Sequence, residues 1–306
     1  MTELRYDDRV AVVTGSGRGL GRAYALLLAA NGAKVVVNDP GGSMRGDDSG
    51  DIGPAEEVVK EIQAAGGEAI ACTESVATPE GGKAIIQAAL DEWGRIDILI
   101  HNAGNVRYGT LKEISYEDFE AVVDVHLRGA FHVVRPAFPL MCEAGYGRVV
   151  LTSSIGGTYG NAGGIANYGV SKAGTIGLSQ VVALEGAAEG VKCNVILPSA
   201  LTRMAEGIDT SAYPPMGPEL VAPTVGYLAH ESCSLSGEML IAIAGRVAKA
   251  YLSETPGVYH PSWTAKQVGE EIDAIRNADA PLTFPVVPNG FVDHIGYSFG
   301  MATGQV

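Results

Sequence analysis

Tyr168 and Lys172 could exchange a proton with a substrate hydroxyl group. The sequence Tyr-Gly-Val-Ser-Lys begins a segment with helical periodicity, and side chains four residues apart lie on one face of a helix. A phenol with a pKa of about 10 is a poor base at neutral pH, but a neighbouring ammonium ion favours the phenolate. Ser154, fourteen residues upstream at the end of a predicted strand, could donate a hydrogen bond to the same substrate oxygen. A lone Tyr-x-x-x-Lys pattern is usually plain helix surface, so this interpretation depends on the other motifs.

A glycine-rich segment near the N terminus could bind a pyrophosphate group. It leads from a predicted strand through Gly15, Gly19, Leu20 and Gly21 into a predicted helix. Glycine lets the backbone approach a phosphate closely, and a helix N terminus offers unpaired N–H groups and the positive end of the helix dipole. The spacing Gly-x-x-x-Gly-x-Gly differs from the Gly-x-Gly-x-x-Gly of the standard dinucleotide-binding fold. Taken alone, the cluster could also be a turn without a ligand.

Asp39 follows the second predicted strand, about twenty residues after the glycine loop. A carboxylate at that place can accept hydrogen bonds from both hydroxyls of an adenosine ribose. A 2′-phosphate there would meet a like charge, which favours NAD over NADP as the cofactor. Arg18 in the glycine loop is a contrary signal, because its guanidinium could reach a 2′-phosphate. Asp39 could also be only a turn-forming residue before Pro40.

The elements that must position these residues are predicted from short apolar runs that alternate with helical periodicity. Buried strands are predicted at 10–13, 34–38, 68–71, 96–100, 148–151, 191–197 and 239–243. Helices are predicted at 20–31, 55–65, 80–92, 116–143, 167–188 and 219–230. The fourth helix should open on a capping box formed by Ser115 and Asp118, and Pro136 and Pro139 predict a kink or an early end in it. This alternation is typical of the α/β class, with a Rossmann-like, doubly wound parallel sheet.

A single domain is predicted for residues 1–245, followed by a C-terminal extension at 246–306 that packs on the same domain. The extension has one predicted helix at 264–278, proline-containing flanks, and too few apolar clusters for a core of its own. Its aromatic side chains could cover a substrate or reach a neighbouring subunit, or they could only stabilise the domain.

The composition disfavours several classes of function. The 21 Lys and Arg against 35 Asp and Glu give a net charge of −14, which would repel a nucleic acid and an anionic membrane surface. The four cysteines form no Cys-x-x-Cys pair, which disfavours a metal site or a redox dithiol and predicts four buried thiols. The N terminus lacks a secretory signal pattern and no apolar run approaches about 18 residues, so a cytoplasmic protein is expected.

Taken together, the motifs resemble those of the short-chain dehydrogenase/reductase family, over about residues 9–245. Ser154, Tyr168 and Lys172 correspond to its catalytic residues, although the gap between serine and tyrosine is one residue longer than usual; Ser154 is preferred over Ser153. The resemblance implies a nicotinamide cofactor, with NAD expected here. It assigns cofactor contacts to Gly15, Arg18, Gly19, Leu20, Gly21, Asp39, Glu74, Val76, Asn102, Ala103, Gly104, Tyr168, Lys172, Pro198 and Thr202.

His126 departs from the family pattern. The family usually places an asparagine here, which anchors a water chain to the catalytic lysine, whereas this sequence has Asp-Val-His-Leu-Arg-Gly. Imidazole can also carry a proton or bind water, so His126 is a candidate catalytic residue in a proton relay. The alternative is that it only satisfies a helix carbonyl.

A closer resemblance is to the dehydrogenase unit of the peroxisomal multifunctional enzyme type 2 subfamily, carried by Val-Val-Val-Asn-Asp-Pro-Gly-Gly, Asp-Val-His-Leu-Arg-Gly-Ala-Phe and Leu-Ala-His-Glu-Ser-Cys. It implies NAD-dependent oxidation of a (3R)-hydroxyacyl-CoA thioester or a hydroxysteroid, with Tyr168 as general acid and base. The alternatives are an NADPH-dependent 3-oxoacyl-thioester or ketone reductase, and a nucleotide-sensing protein that has lost turnover. A homodimer or homotetramer is expected, because the fourth and fifth helical stretches carry apolar residues on more than one side.

Overall fold

An eight-stranded sheet forms the centre of the chain. The computed structural model describes residues 4–43, 45, 53–160, 163–202, 209 and 211–305. The strands are β1 (Val10–Thr14), β2 (Lys34–Asn38), β3 (Glu68–Cys72), β4 (Ile98–His101), β5 (Gly147–Thr152), β6 (Val191–Ser199), β7 (Met239–Ile243) and β8 (Arg246–Ala250). Their order is β3-β2-β1-β4-β5-β6-β7-β8, and the first seven are parallel. Because only two residues join β7 to β8, that pair is antiparallel. The predicted doubly wound, Rossmann-like α/β class is confirmed.

Helices cover both faces of this sheet. They are α1 (Gly19–Ala30), α2 (Gly53–Ala64), α3 (Pro79–Trp93), α4 (Tyr116–Val123), α5 (Gly129–Glu143), α6 (Ile155–Thr158), α7 (Ala166–Glu185) and α8 (Ala222–Ala229). Side chains alternate between the two faces along each strand. Ala11 and Val13 therefore join the core cluster that includes residues of α1, α2 and α8, while Val12 between them is also fully buried. Burial on both faces explains why these strands are continuous apolar runs.

The segment predicted as the fourth helix is not one continuous α-helix. Ser115 caps α4 by accepting a hydrogen bond from the Asp118 N–H at 3.0 Å, as predicted. A π-helical turn, Asp124–Arg128, then joins α4 to α5. The helix does not end early at Pro136 and Pro139, since α5 continues to Glu143, and a kink there, the other expectation, stays a prediction. α5 packs along α3 and buries Val133, Val134, Ala137 and Met141, and this tertiary packing outweighs the hydrogen bonds that the prolines remove.

The chain divides into two compact units, Met1–Lys249 and Ala250–Val306. In the second unit the predicted helix at 264–278 is two short helices, α9 (Ala265–Glu270) and α10 (Ile272–Ile275), and a third, α11 (Gly290–Thr303), was not predicted. Among the described residues of this unit only Ala250, Gly290 and Gly300 are buried. That the extension packs on the main domain remains a prediction.

The cysteines depart from the sequence expectation at one position. Cys72, Cys193 and Cys233 are buried, whereas Cys142 is half-buried in the last turn of α5. Among the helices that the structure describes, none has the length and apolar character that crossing a membrane requires.

Candidate active site

The candidate site residues follow the carboxyl ends of the parallel strands. Thr14 at the end of β1 pairs with Asn38 on one side and with His101 on the other, so these three strands end level with one another. The chain proceeds from β1 to β2 on one side and later to β4 on the other, which creates the crevice where α/β sheets bind ligands. The glycine loop follows β1, Asn102 follows β4, and Ser154 lies two residues beyond the end of β5.

The glycine loop leaves no space for side chains at two of its positions. Gly15 has a positive φ of 62°, and a Cβ there would lie 2.7 Å from the Ala103 Cα. A Cβ on Gly21 would collide with the Gly15 carbonyl and lie 2.6 Å from the Asn102 side chain. The loop ends in α1, whose first N–H groups donate to no side-chain cap because its N-cap residue is Arg18. This is the cradle that a bound pyrophosphate needs.

Asp39 and Arg18 lie beside this loop. The Asp39 carboxylate accepts backbone N–H groups from Gly17 at 3.0 Å and Gly41 at 2.9 Å. Since an ionised carboxylate has about four acceptor positions, two remain for a ribose diol. The Arg18 Nη1 atom is buried and has no hydrogen-bond partner among the described residues, so this nitrogen is an unsatisfied donor in the loop.

A buried hydrogen-bond network, which sequence reasoning missed, joins the loop to the catalytic side of the crevice. The Thr14 hydroxyl accepts the N–H groups of Asn102 and Ala103, both at 3.1 Å, and lies 3.1 Å from His101 Nδ1. Because both hydroxyl acceptor positions are used, Thr14 donates to Nδ1, and His101 carries its proton on Nε2. That Nε2–H donates to the His126 carbonyl at 3.2 Å. Burial lowers the pKa of His101 to about 3, which keeps it neutral.

Ser154, Tyr168 and Lys172 converge beyond the end of β5. Ser154 caps α6, its Oγ accepting the Gly156 N–H at 3.1 Å, and its side chain lies close enough to Tyr168 to lower the pKa of the phenol. Tyr168 and Lys172 lie one turn apart near the start of α7, and the lysine Nζ is 5.4 Å from the tyrosine ring centre. Lys172 is buried and donates to the Thr152 carbonyl at 2.6 Å. Ser153 instead donates to the Lys172 carbonyl at 2.6 Å, away from the tyrosine.

Burial dominates the electrostatics of this group. It raises the pKa of Tyr168, and the nearby Ser154 side chain acts in the opposite direction. Burial also lowers the pKa of Lys172 to about 7, because the ammonium ion has lost its water. A lysine with this pKa can gain or lose a proton near neutral pH, which is the range in which acid–base catalysts work.

His126 lies in the π-helical turn, against the tyrosine. Its ring centre is 5.3 Å from that of Tyr168, nearly perpendicular to it, and its Nε2 is 2.8 Å from the Asn105 carbonyl and 3.1 Å from the Asn105 N–H. Its Nδ1 is buried without a hydrogen-bond partner among the described residues. Burial, followed by the charge on Lys172, lowers the pKa of His126 well below its ordinary value.

The remaining predicted cofactor residues lie farther along the same edge. The Glu74 carbonyl accepts the Asn38 side-chain amide at 2.8 Å, beyond β3, and Val76 is buried next to Gly129. Pro198 lies in β6. Thr202 follows β6, and its methyl group lies 3.2 Å from where a Cβ on Gly19 would be. Residues 203–208, which follow directly, lie outside the described residues.

A doubly wound parallel sheet with a glycine loop at its crevice is the arrangement of the dinucleotide-binding folds. A model of the short chain dehydrogenase family matches residues 9–211, so the chain belongs to that family. It is 48% identical over 262 residues to peroxisomal multifunctional enzyme type 2 of Drosophila melanogaster, a match that covers 85% of this chain. The resemblance to that subfamily, predicted from the sequence, is confirmed.

Two solved structures share the fold. The full-length fly enzyme superposes with a TM-score of 0.80 at 37% identity, covering 99% of this chain and 50% of the fly chain. A short chain dehydrogenase from Mycobacterium avium gives a TM-score of 0.77 at 37% identity, covering 88% of this chain and 94% of its own. The sequence match spans 43% of the fly protein's length, so this chain corresponds to about half of that relative.

Proposed function

We propose that this protein uses NAD to oxidise a secondary alcohol to a ketone, with a 3-hydroxyacyl-CoA thioester or a hydroxysteroid as the substrate. The observation that carries the proposal is the convergence of Ser154, Tyr168 and Lys172 beside a glycine cradle at one edge of the sheet. The resemblance to the dehydrogenase unit of multifunctional enzyme type 2 supports the substrate class.

The residues present fit the cofactor. Gly15 and Gly21 let the loop pack closely against Ala103 and Asn102 at the N terminus of α1, Asp39 offers carboxylate positions to a ribose, and Asn102 holds the loop by donating to the Gly15 carbonyl at 3.0 Å. Lys172 has donors beyond its bond to Thr152 and would hold the second ribose. When bound, the nicotinamide accepts the hydride from the carbinol carbon.

The protein's own residues move the proton. The Tyr168 oxygen takes the proton of the substrate hydroxyl, while the Ser154 hydroxyl donates a hydrogen bond to the same substrate oxygen and so positions it. Lys172 favours the phenolate when it is charged. The unpartnered Nδ1 of His126 supports a role in relaying the proton onward from Lys172, because a water between them would satisfy both groups.

The choice between NAD and NADPH depends on Asp39 and Arg18. Asp39 next to the loop favours NAD, because a 2′-phosphate would approach its carboxylate. The buried, unpartnered Nη1 of Arg18 favours the second candidate function, an NADPH-dependent reductase of 3-oxoacyl thioesters or ketones.

A panel of 3-hydroxyacyl-CoAs, 17β-hydroxysteroids and simple secondary alcohols, each with NAD and NADP, tests both candidates. We expect kcat/KM to favour NAD at least tenfold, which corresponds to about 1.4 kcal/mol. Asp39→Ser should reduce this preference for NAD, whereas Arg18→Ala should leave the preference unchanged. Equal use of NADP by the wild-type enzyme, with loss of NADP use in Arg18→Ala, would instead support the reductase.

Tyr168→Phe tests the chemical assignment. General acid–base catalysis contributes roughly 10²–10⁴-fold, so this variant should retain less than about one hundredth of kcat while binding NADH as the wild type does. If more than about a tenth of the activity remains, another group carries the proton.

The proposal extends to the assembly of the protein and to its location. Phe131 on α5 and Val181 on α7 are half-exposed apolar side chains, which supports a homodimer or homotetramer. The net charge of −14 supports a small-molecule substrate and no nucleic-acid or membrane partner.

We propose a cytoplasmic location. The fly relative is named as peroxisomal, so a fluorescent fusion expressed in the native cell should test whether the protein lies in the cytoplasm or in peroxisomes.

A further inference from the structure

Asn167 immediately precedes Tyr168 and is completely buried. Its side-chain amide donates to two backbone carbonyls, that of Arg107 at 3.0 Å and that of Asp118 at 3.1 Å. Its Oδ1 accepts the backbone N–H of Tyr168 at 2.8 Å. Both donors of the amide are therefore used, and its oxygen is bonded to the backbone of the tyrosine itself.

These three bonds join three separate parts of the chain. Arg107 lies in the loop after β4, Asp118 in the first turn of α4, and Tyr168 in the first turn of α7. The N-cap residue of α7, Ile165, provides no side-chain hydrogen bond, so the Asn167 oxygen supplies the partner that the Tyr168 N–H would otherwise lack. The Asn167 side chain thereby sets where the first turn of α7 lies.

The parts that Asn167 joins are themselves fixed. The Arg107 guanidinium pairs with the Asp118 carboxylate at 3.0 Å, and this pair lowers the pKa of Asp118. The Gly109 N–H donates to the Gly164 carbonyl at 2.8 Å just before α7. The loop after β4 and α4 thus form a rigid base for the catalytic end of α7.

We propose that Asn167 is a positioning residue for the reaction, holding the Tyr168 phenol in register with Ser154 and Lys172. This inference rests on the proposed role of Tyr168. The bonds of Asn167 go to backbone atoms and none to a side chain of the catalytic group, so its effect on the reaction passes through the position of α7 alone.

Asn167→Ala and Asn167→Asp separate the contributions of the amide. Alanine removes all three bonds, whereas aspartate keeps the acceptor for the Tyr168 N–H and turns an oxygen toward two carbonyls. Both variants should lose at least about tenfold in kcat, since a misplacement of about 1 Å can cost 10²-fold. The Kd for NADH should stay within about twofold, because the hydrogen bonds of the Asn167 side chain do not go to the glycine loop.

Ser171→Ala is the matched control. It removes a buried hydrogen bond of 2.7 Å to the Asn167 carbonyl in the same helix, and it should keep the kcat of the wild type.

A measurement without turnover completes the test. With ¹³Cζ-labelled tyrosine, the resonance missing from Tyr168→Phe identifies Tyr168 in the wild type. Its titration midpoint should rise by roughly half a pH unit or more in both Asn167 variants, because a displaced phenol loses the influence of Ser154 that lowers its pKa, and should not move in Ser171→Ala.

An aspartate variant with wild-type kcat and an unchanged midpoint would overturn the proposal, even if the alanine variant does not fold. For both Asn167 variants, kcat is measured with 3-hydroxydecanoyl-CoA or with the panel member that the wild-type enzyme oxidises fastest. If Tyr168→Phe remains active, it is the proposed function that fails. If Tyr168→Phe is inactive and the Asn167 variants are normal, only the role of Asn167 fails.

Discussion

Replacing Lys172 with methionine should stop turnover and also stabilise the cofactor-free protein at neutral and acidic pH. Lys172 is 4% exposed, and burial lowers its pKa from 10.5 to about 7. Between these two pH values the unfolded chain binds a proton that the folded chain has released, so the free energy of unfolding rises with pH across this window. The cost of burying the charged lysine is therefore fully present below about pH 7 and disappears above about pH 10.5.

The expected gain follows from this pKa difference. About 1.4 kcal/mol per pH unit gives roughly 5 kcal/mol for the buried ammonium ion. Methionine fills a similar volume but gives up the 2.6 Å bond to the Thr152 carbonyl. A hydrogen bond from a charged donor contributes about 1.5–3 kcal/mol. Lys172→Met should therefore raise the free energy of unfolding by roughly 2 kcal/mol at about pH 6.

Urea denaturation followed by circular dichroism, at about pH 6 and about pH 9 and at one protein concentration, measures this difference. The gain should be larger at the lower pH. Lys60→Met is the control, since that side chain is 73% exposed and its replacement should change stability by less than about 0.5 kcal/mol. A Lys172→Met protein that is less stable than wild type at about pH 6, or whose gain is the same at both pH values, would refute the reasoning.

Three further outcomes are expected. Gly21→Ala should weaken NADH binding at least about tenfold, because its Cβ would lie 2.6 Å from the Asn102 side chain. The control is Gly177→Ala on α7, whose Cβ would meet no atom within 4 Å and which should bind NADH normally. Equal Kd values for the two variants in a fluorescence titration would contradict this prediction. Asp97→Ala should lower the free energy of unfolding by about 3 kcal/mol without lowering kcat, because it leaves Arg9 and Arg95 without their shared, buried carboxylate. Urea denaturation measures this loss, and an unchanged unfolding midpoint would contradict the prediction. Light scattering at micromolar concentration should give the mass of a dimer or tetramer, and a monomeric mass would remove that proposal.

The sequence by itself determined the sheet and the motifs that follow its strands. Seven of the eight strands were predicted within a few residues, because burial on both faces leaves a continuous apolar run that any window reveals. The cradle at Gly15 and Gly21 was recognisable because only glycine tolerates its backbone contacts. The spacing of Tyr168 and Lys172 was informative because one helical turn places them on one face.

Only the tertiary structure decided how the candidate site is held together. The π-helical turn at His126, the continuation of α5 past Pro136, and the burial that lowers the pKa of Lys172 all depend on contacts between elements far apart in the chain. The same holds for Asn167, whose partners lie sixty and forty-nine residues away. A sequence pattern reports the local preference and the buried face of a segment, whereas hydrogen bonds and desolvation at a site depend on which segments the fold brings together.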